Sequence, residues 1–345
     1  MSSKAKVVHI SRNKISGYEQ EKSAMKQNNN EHKGENDQRH HFFKRKTINQ
    51  TRPQTREIVG DLWIKCPKCY ELAYIKEHEK NFRVCQKCKY HYRLRWQDRV
   101  KCVLDADSWV EINSELRTAD PLKFANDGEV YPEKIAQTRK KSGINESLVT
   151  GYGTVDGRPL AVAIADFAFL GASMGSVFGE KLVRLVDLCL ENRWPLLTVS
   201  ASGGARMHEG ILSLMQMAKT TAALSRLAQA RLPHFSLLTD PCYGGVTASY
   251  AMIADVILAE PGAMIGFAGP RVIEQTTRQK LPTGFQTAEF LLEHGMLDKV
   301  VSRRDLHHIL SSLTKLYAGV KVEETHPELT LSPRLVRTEE MRHAG

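Results

Sequence analysis

The sequence predicts an α/β protein with a small metal-held module ahead of it. Two observations carry this. Between residues 150 and 318, apolar runs of strand length alternate with helical segments across glycine-bearing turns, the pattern of layered α/β folds with mainly parallel strands. Ahead of that region, Cys66-Pro-Lys-Cys69 and Cys85-Gln-Lys-Cys88 frame a 15-residue insert. Paired Cys-x-x-Cys knuckles at that distance are a zinc-ribbon spacing.

Composition bounds the rest. The chain has 345 residues, 41% hydrophobic and 26% charged, which is globular and excludes wholesale disorder. No window approaches the roughly 18 continuous apolar residues of a membrane span; the best stretch, 159–175, contains Asp166 and Gly171. Seven cysteines suit a closed disulfide framework poorly, and the opening MSSKAKVVHISRN has no apolar secretory core. A reducing, cytoplasmic setting is the expectation.

The net charge of +10 is uneven. Residues 1–60 carry 13 Lys and Arg against six acids, leaving only about +3 for the remainder. This polar stretch, with little periodicity, reads as a disordered basic tail. Residues 61–100 read as the ribbon, with aromatic and β-branched residues (Tyr74, Ile75, Phe82, Val84, Tyr90, Tyr92) alternating with charges as hairpin strands do. Residues 101–320 form the main domain, and 321–345 a loose C-terminal tail.

Within the main domain, 159–166, 195–202, 234–240 and 255–260 read as buried strands. The segments around 177–191, 210–230, 246–254 and 303–317 read as helices. Met215, Met217, Met252 and Ile253, on the second and third of these, are candidates for a subunit interface as well as for core.

Four thiolates from Cys66, Cys69, Cys85 and Cys88 would complete a tetrahedral zinc site with no open position, hence a structural one. Cys102, Cys189 and Cys242 lack such pairing and read as buried or incidental thiols. Lys65, Lys68, Lys87, Lys89, Arg93, Arg95 and Arg99 make the ribbon basic, which suits phosphate or nucleic acid and equally a solvated face.

Two turns carry the chemistry of the main domain. Gly203-Gly204 follows the strand 195–202, and Gly244-Gly245 follows the strand 234–240. Ligands of open α/β sheets bind beyond the carboxyl ends of strands. Glycines there let the backbone approach a ligand and present N–H groups to a phosphate or a developing oxyanion. No phosphate-loop, dinucleotide or nucleophile-elbow motif is present, and each turn alone reads equally well as a plain tight turn. A third run of small residues, 169–181, could let a ligand lie against the backbone, or let a helix pack closely on a sheet.

Together these features resemble one family. A four-cysteine ribbon, then FLGASMGSVFGEK, SASGGARMHEG, DPCYGGVTASYA and AEPGAMIGFAGPRVIEQT, in this order across roughly 61–318, is similar to the carboxyltransferase β subunits of bacterial acetyl-coenzyme A carboxylases. Cys242 stands where that family more usually has threonine. The resemblance implies a crotonase (ClpP-like) spiral of repeated ββα units. It implies transfer of a carboxyl group from carboxybiotin, borne on a biotin carboxyl carrier protein, to acetyl-CoA, giving malonyl-CoA for fatty-acid synthesis.

The implied partners are an α subunit in an α₂β₂ heterotetramer and, in the full ATP-using complex, a biotin carboxylase. The implied oxyanion hole falls on Gly203, Gly204, Gly244 and Gly245. Acyl-CoA contacts are expected at Ser173, Met174, Gly175, Arg206, Gly266 and Gly269, within the matched motifs. His208 and Glu209 read as orienting or structural. A hydratase, isomerase or decarboxylase of the same superfamily would instead need acid/base carboxylates, with Glu209 and Glu260 the nearby candidates. A zinc-ribbon nucleic-acid binder would draw on the basic tail and ribbon.

Overall fold

The computed structural model describes residues 62–126 and 129–318, all within one compact unit spanning Val59–Gly345. The expected tails at 1–60 and 321–345 lie outside the described residues. No helix among the described residues is long and apolar enough to cross a membrane.

The main sheet begins with a hairpin, β6 (Leu148–Val155) and β7 (Arg158–Ala165), paired antiparallel from Leu148↔Ala165 to Val155↔Arg158. Its two-residue turn, Asp156-Gly157, takes positive φ at both positions (48° and 73°), as a tight hairpin requires. The Asp105 carboxylate fastens this turn, accepting from the Asp156 and Gly157 N–H groups at 3.0 and 2.9 Å. From β7 the sheet continues in parallel through β8 (Leu196–Ser202), β9 (His234–Tyr243), β10 (Val256–Ala259) and β12 (Lys299–Val300), with β3 (Val110–Ile112) antiparallel on the outer side of β6. The short β11 (Ile265–Gly266) pairs in parallel with the far end of β9.

Both faces of this sheet are covered, so its strands are continuous apolar runs rather than alternating ones. Ala161, Ala163 and Ala165 face one core, with Phe178, Leu182 and Leu185 of α4 (Ser176–Asn192) and Leu224 and Leu227 of α5 (Gly210–Gln229). Leu160, Val162 and Ile164 face the other, with Val103 of α2 (Trp96–Val103) and Leu306 and Leu310 of α8 (Arg303–Ala318). Small residues toward α4 bring the helix close; Gly179 goes further, since a Cβ there would lie 2.8 Å from the Gln216 Cβ of α5.

The four main strands and three of the four expected helices are present. The fourth is not: 246–254 is a succession of turns. Thr247 and Ser249 explain this. Their hydroxyls donate to the Gly244 and Gly245 carbonyls at 3.0 and 2.6 Å, offering the chain local bonds that compete with a helical ladder. The hairpin strand β6 and the helix α3 (Tyr131–Ser142) had no counterpart in the sequence reading.

The ribbon departs in one respect. Trp63–Lys65 (β1) and Leu72–Tyr74 (β2) pair antiparallel, but Ile75–Lys80 is a short helix, α1, not a continuing strand. The basic face of the ribbon is partly an internal device. Lys87, Arg93, Arg95 and Arg99 pair with Glu71, Asp240, Asp166 and Glu260.

Candidate active site and metal centre

Strands β8 and β9 run side by side, with Ser202 in register with Cys242, so the turns that follow them meet. Gly204 has φ +113° and Gly244 φ +67°, both in the region that favours glycine. The two backbones touch: a Cβ built on Gly244 would lie 3.3 Å from the Gly204 Cα, and one on Gly204 would lie 3.6 Å from the Gly244 Cα.

The four N–H groups of these turns are not equivalent. Gly203 donates to the Gly171 carbonyl at 3.0 Å and Gly244 to the Phe267 carbonyl at 2.8 Å. Gly204 donates to Ser202 Oγ at 3.0 Å, and that hydroxyl in turn donates to the Ala172 carbonyl at 2.6 Å. Only the Gly245 N–H, of the four, makes no hydrogen bond among the described residues. Three donors therefore hold the turns together, and one is left for a ligand. The helix-terminus argument also narrows. No helix follows Gly245, and α5 begins six residues beyond Gly204, after a 3₁₀ turn.

Beneath the turns lies a buried charged knot. The Arg206 guanidinium donates to both carboxylates of Glu146 and Glu209, to Thr118 Oγ1, to Ser147 Oγ and to Ser173 Oγ and its carbonyl. Glu209 also accepts from Tyr131 Oη at 2.8 Å and from the Ser176 N–H at 2.6 Å. Burial pushes the Glu209 carboxyl up, but the Arg206 charge and the donated hydrogen bonds outweigh it and hold the group below the usual carboxylate range. His208 stacks on Tyr131, ring centroids 4.7 Å apart.

Arg206 is fully enclosed with its donors engaged, Met174 has no exposed surface, and a Cβ on Gly175 would strike Glu209 Oε1 at 2.4 Å. These three residues brace the turn from below. Ser173 is half-buried and tied to Arg206. Gly266 is backed by Gln286, whereas Gly269 has open space where a Cβ would stand. Glu146, Thr118 and Tyr131, the partners that fix Arg206 and Glu209, carry no motif that sequence reasoning could have used.

Glu260 is engaged in the same way. It accepts from Arg99, and from Arg303 at 2.6 and 2.7 Å. Burial raises its pKa, and the two guanidinium groups pull it down to about 2. Neither Glu209 nor Glu260 is placed to exchange protons with a substrate.

Apolar side chains rim the turns. Met207 is 80% exposed and Phe267, whose carbonyl holds Gly244, is 71% exposed; Ile211, Leu214 and Met215 follow on α5. Of the expected interface residues, Met215 and Ile253 are exposed, while Met217 and Met252 are half-buried and pack against the core.

In the ribbon, all four sulfurs of Cys66, Cys69, Cys85 and Cys88 lie within 4.8 Å of one another. Cys66 and Cys88 are 3.6 Å apart, Cys69 and Cys85 3.7 Å. A tetrahedron with zinc–sulfur bonds of 2.3 Å has edges of about 3.8 Å. The two knuckles also match. Tyr70 and Lys89 sit at equivalent places with φ near 60°, and their N–H groups return to the Cys66 and Cys85 carbonyls at 2.9 and 3.0 Å. Cys102, Cys189 and Cys242 are buried thiols, pushed by burial to about 11, 12 and 12.

Comparison with known proteins decides the family. Residues 93–288 match the carboxyl transferase domain. The chain is 52% identical over 275 residues to acetyl-coenzyme A carboxylase carboxyl transferase subunit beta 2 of Roseiflexus sp. (strain RS-1), covering 80% of this chain and 91% of that one. The chain belongs to this carboxyltransferase β-subunit family.

A second family member, subunit beta 1 of Roseiflexus castenholzii, is 48% identical over 292 residues, 85% of this chain and 97% of that one. A match that long in a 345-residue chain takes in the cysteine cluster wherever its ends fall. Among solved structures, the transcarboxylase 12S core with methylmalonyl-coenzyme A bound is similar at TM-score 0.55 and 26% identity, over 64% of this chain and 41% of that one. A Pseudomonas malonate decarboxylase hetero-tetramer with malonate is similar at TM-score 0.52 and 25% identity, over 65% and 82%. The fold is the crotonase-type carboxyltransferase fold. Its first turn here is a complete ββα unit, β6–β7–α4.

Proposed function

We propose that this chain, as the β subunit of an acetyl-coenzyme A carboxylase, binds acetyl-CoA and stabilises its enolate while a carboxyl group arrives from carboxybiotin. The observation that carries this reading is the meeting of the two glycine turns, with one N–H left unengaged. Removing a methyl proton from acetyl-CoA puts negative charge on the thioester oxygen. A fixed donor at Gly245 gains strength as that charge grows, so it favours the transition state over the ground state. Gly203, Gly204 and Gly244 act by position: their internal bonds fix the turn, and their missing side chains admit the thioester. Of the expected CoA contacts, Gly269 and the exposed side of Ser173 remain candidates.

The methyl proton needs an acceptor. Glu209 and Glu260 are ionised but held by arginines, which supports a base that enters with the second substrate. The N–carboxyl bond of carboxybiotin breaks to give CO₂ and a ureido anion; that anion takes the methyl proton, and the enolate carbon bonds to the CO₂, giving malonyl-CoA and biotin. This also weighs against the hydratase reading.

The carrier-borne biotin needs an opposing wall. The apolar rim of Met207, Ile211, Met215 and Phe267 suits an α subunit in an α₂β₂ assembly, with the biotin carboxyl carrier protein and biotin carboxylase as further partners in the cytoplasm. Cys66, Cys69, Cys85 and Cys88 would hold one structural zinc, which supplies cross-linking of the ribbon and no chemistry to the transfer.

The test is malonyl-CoA formation by the chain reconstituted with its α subunit, against the chain alone and against Gly204→Val. The wild-type assembly should be active and the isolated chain nearly inactive. Gly204→Val forces a β-branched residue to φ +113° against the Gly244-Gly245 turn and so displaces the Gly245 donor; loss of that donor should cost about 10²–10³ in kcat, with zinc content and assembly intact. A Gly204→Val assembly turning over at the wild-type rate would remove the acyl site from these turns.

A further inference from the structure

The glycine turns stand at the carboxyl ends of the parallel strands. A cavity of about 610 Å³ opens at their amino ends. Arg158 and Pro159 begin β7, and Pro195 and Pro233 directly precede β8 and β9. Along β8, seven residues at about 3.3 Å each put some 23 Å between this cavity and Gly203. It is therefore not part of the thioester site. Its volume is that of a small-molecule site.

Three arginines line it: Arg158, Arg193 and Arg231. Arg193 and Arg231 follow the ends of α4 and α5 in the left-handed conformation, φ 53° and 55°. None of the three makes an ion pair among the described residues. The Nη1 of Arg158 is closed off from the cavity and has no hydrogen-bond acceptor among the described residues, so the cavity meets the rest of the Arg158 side chain. Asp255, the one acid in the lining among the described residues, already accepts from the His234 N–H at 2.8 Å. The lining thus has an excess of two positive charges.

The remaining wall is mostly apolar, made by the three prolines, Leu232 and Tyr317, with Thr314 beside them. A smaller cavity of about 210 Å³ shares Ala228, Leu232 and Asp255 with it and is lined by His234, whose Nδ1 is likewise buried without a partner.

We propose that this cavity is a second ligand site, specific for a small organic phosphate carrying two to three negative charges, a nucleotide diphosphate being the fitting size and shape. Guanidinium groups grip phosphate oxygens bidentately. Arg158 contacts the phosphate from the cavity floor, and Arg193 and Arg231 close on it from the rim. The organic body lies on the prolines and Tyr317. An inorganic anion would satisfy the arginines and leave this apolar wall uncovered, so it binds more weakly.

Calorimetric titration of metal-free ADP into the zinc-replete full-length chain tests this, with inorganic pyrophosphate and citrate as comparison probes. Saturable binding of one ADP is expected, with pyrophosphate weaker and citrate weaker still. Arg158→Gln should weaken ADP binding about tenfold or more, and so should the Arg193→Gln/Arg231→Gln pair, a loss in the range of one charge-assisted contact. Circular dichroism and the thermal midpoint report folding of each variant, and the exposed rim pair keeps the test open if Arg158→Gln does not fold. The proposal is overturned by absence of saturable binding, by affinity that ignores these arginines, or by citrate binding as tightly as ADP.

Discussion

The ribbon and the sheet solve the same problem by different means. The sheet buries β7, β8 and β9 on both faces, with a helical layer on each side. The ribbon has two strands of three residues, and Trp63, Tyr70 and Leu72 stay exposed. Apart from its cysteines, Val84 is its one buried hydrophobic residue among those described. A segment with so little core needs cross-links. Besides the Arg93–Asp240 and Arg95–Asp166 pairs and the Arg304–Asn81 hydrogen bond, it has the four-sulfur cluster and the Arg303 side chain of α8. Arg303 donates to the Phe82 and Arg83 carbonyls at 3.0 and 3.3 Å and also grips Glu260. The sheet holds itself, whereas the ribbon is held.

The largest break in this comparison is loss of the metal. Cys88→Ser should release zinc and unfold residues 62–92 while the sheet remains cooperative, because structural zinc contributes roughly 10–16 kcal/mol of apparent binding energy at such sites. Metal analysis with hydrogen exchange reads both halves. Exchange protection persisting in the ribbon of a zinc-free variant would show that the arginine contacts to the main domain suffice without metal.

The same contrast explains what was legible. The cysteine spacing announced the ribbon because metal geometry dictates sequence spacing directly. Strands β7 to β10 were legible because two-sided burial demands unbroken apolar runs. The turns at 246–254 were not: the window is as apolar as a helix, and Thr247 and Ser249 decide it through bonds to the Gly244 and Gly245 carbonyls. The glycine turns are legible, but which N–H stays unengaged depends on the neighbouring Ser202 and on Gly171 and Phe267, brought in from two other places in the chain. Arg206 was read as a ligand contact because it stands beside a site motif. Its acceptor Glu146 lies 60 residues away, and no local pattern pairs them.

A smaller break acts on the second cross-link. Glu260→Gln leaves Arg99 and Arg303 buried without their counter-charge, and breaking one side of a buried pair costs roughly 3–5 kcal/mol. The sign of its pH dependence follows from the lowered pKa. A carboxyl that falls from its ordinary value near 4.5 to about 2 on folding contributes stability that is full above pH 4.5 and is lost as pH falls toward 2. Wild type should therefore lose stability across that window faster than Glu260→Gln. Denaturant midpoints at several pH values check this, with both proteins sharing whatever zinc release acid causes. Parallel pH curves would mean that the Glu260 charge is not what ties ribbon to sheet.

The smallest effect sharpens the comparison by what it leaves untouched. Lys87 and Glu71 join the two knuckles across the ribbon surface at 2.6 Å, with side chains 64% and 48% exposed. By distance alone this pair is as close as the Arg303–Glu260 contact. Water screens it, however, and two long side chains give up freedom to make it, so exposed pairs of this kind add little. Lys87→Ala should leave zinc affinity, ribbon exchange protection and carboxyltransferase activity at wild-type values, in low salt as in high. A clear loss of ribbon protection that salt reproduces in the wild type would show that surface charge, and not only metal and the buried arginine, holds the ribbon closed.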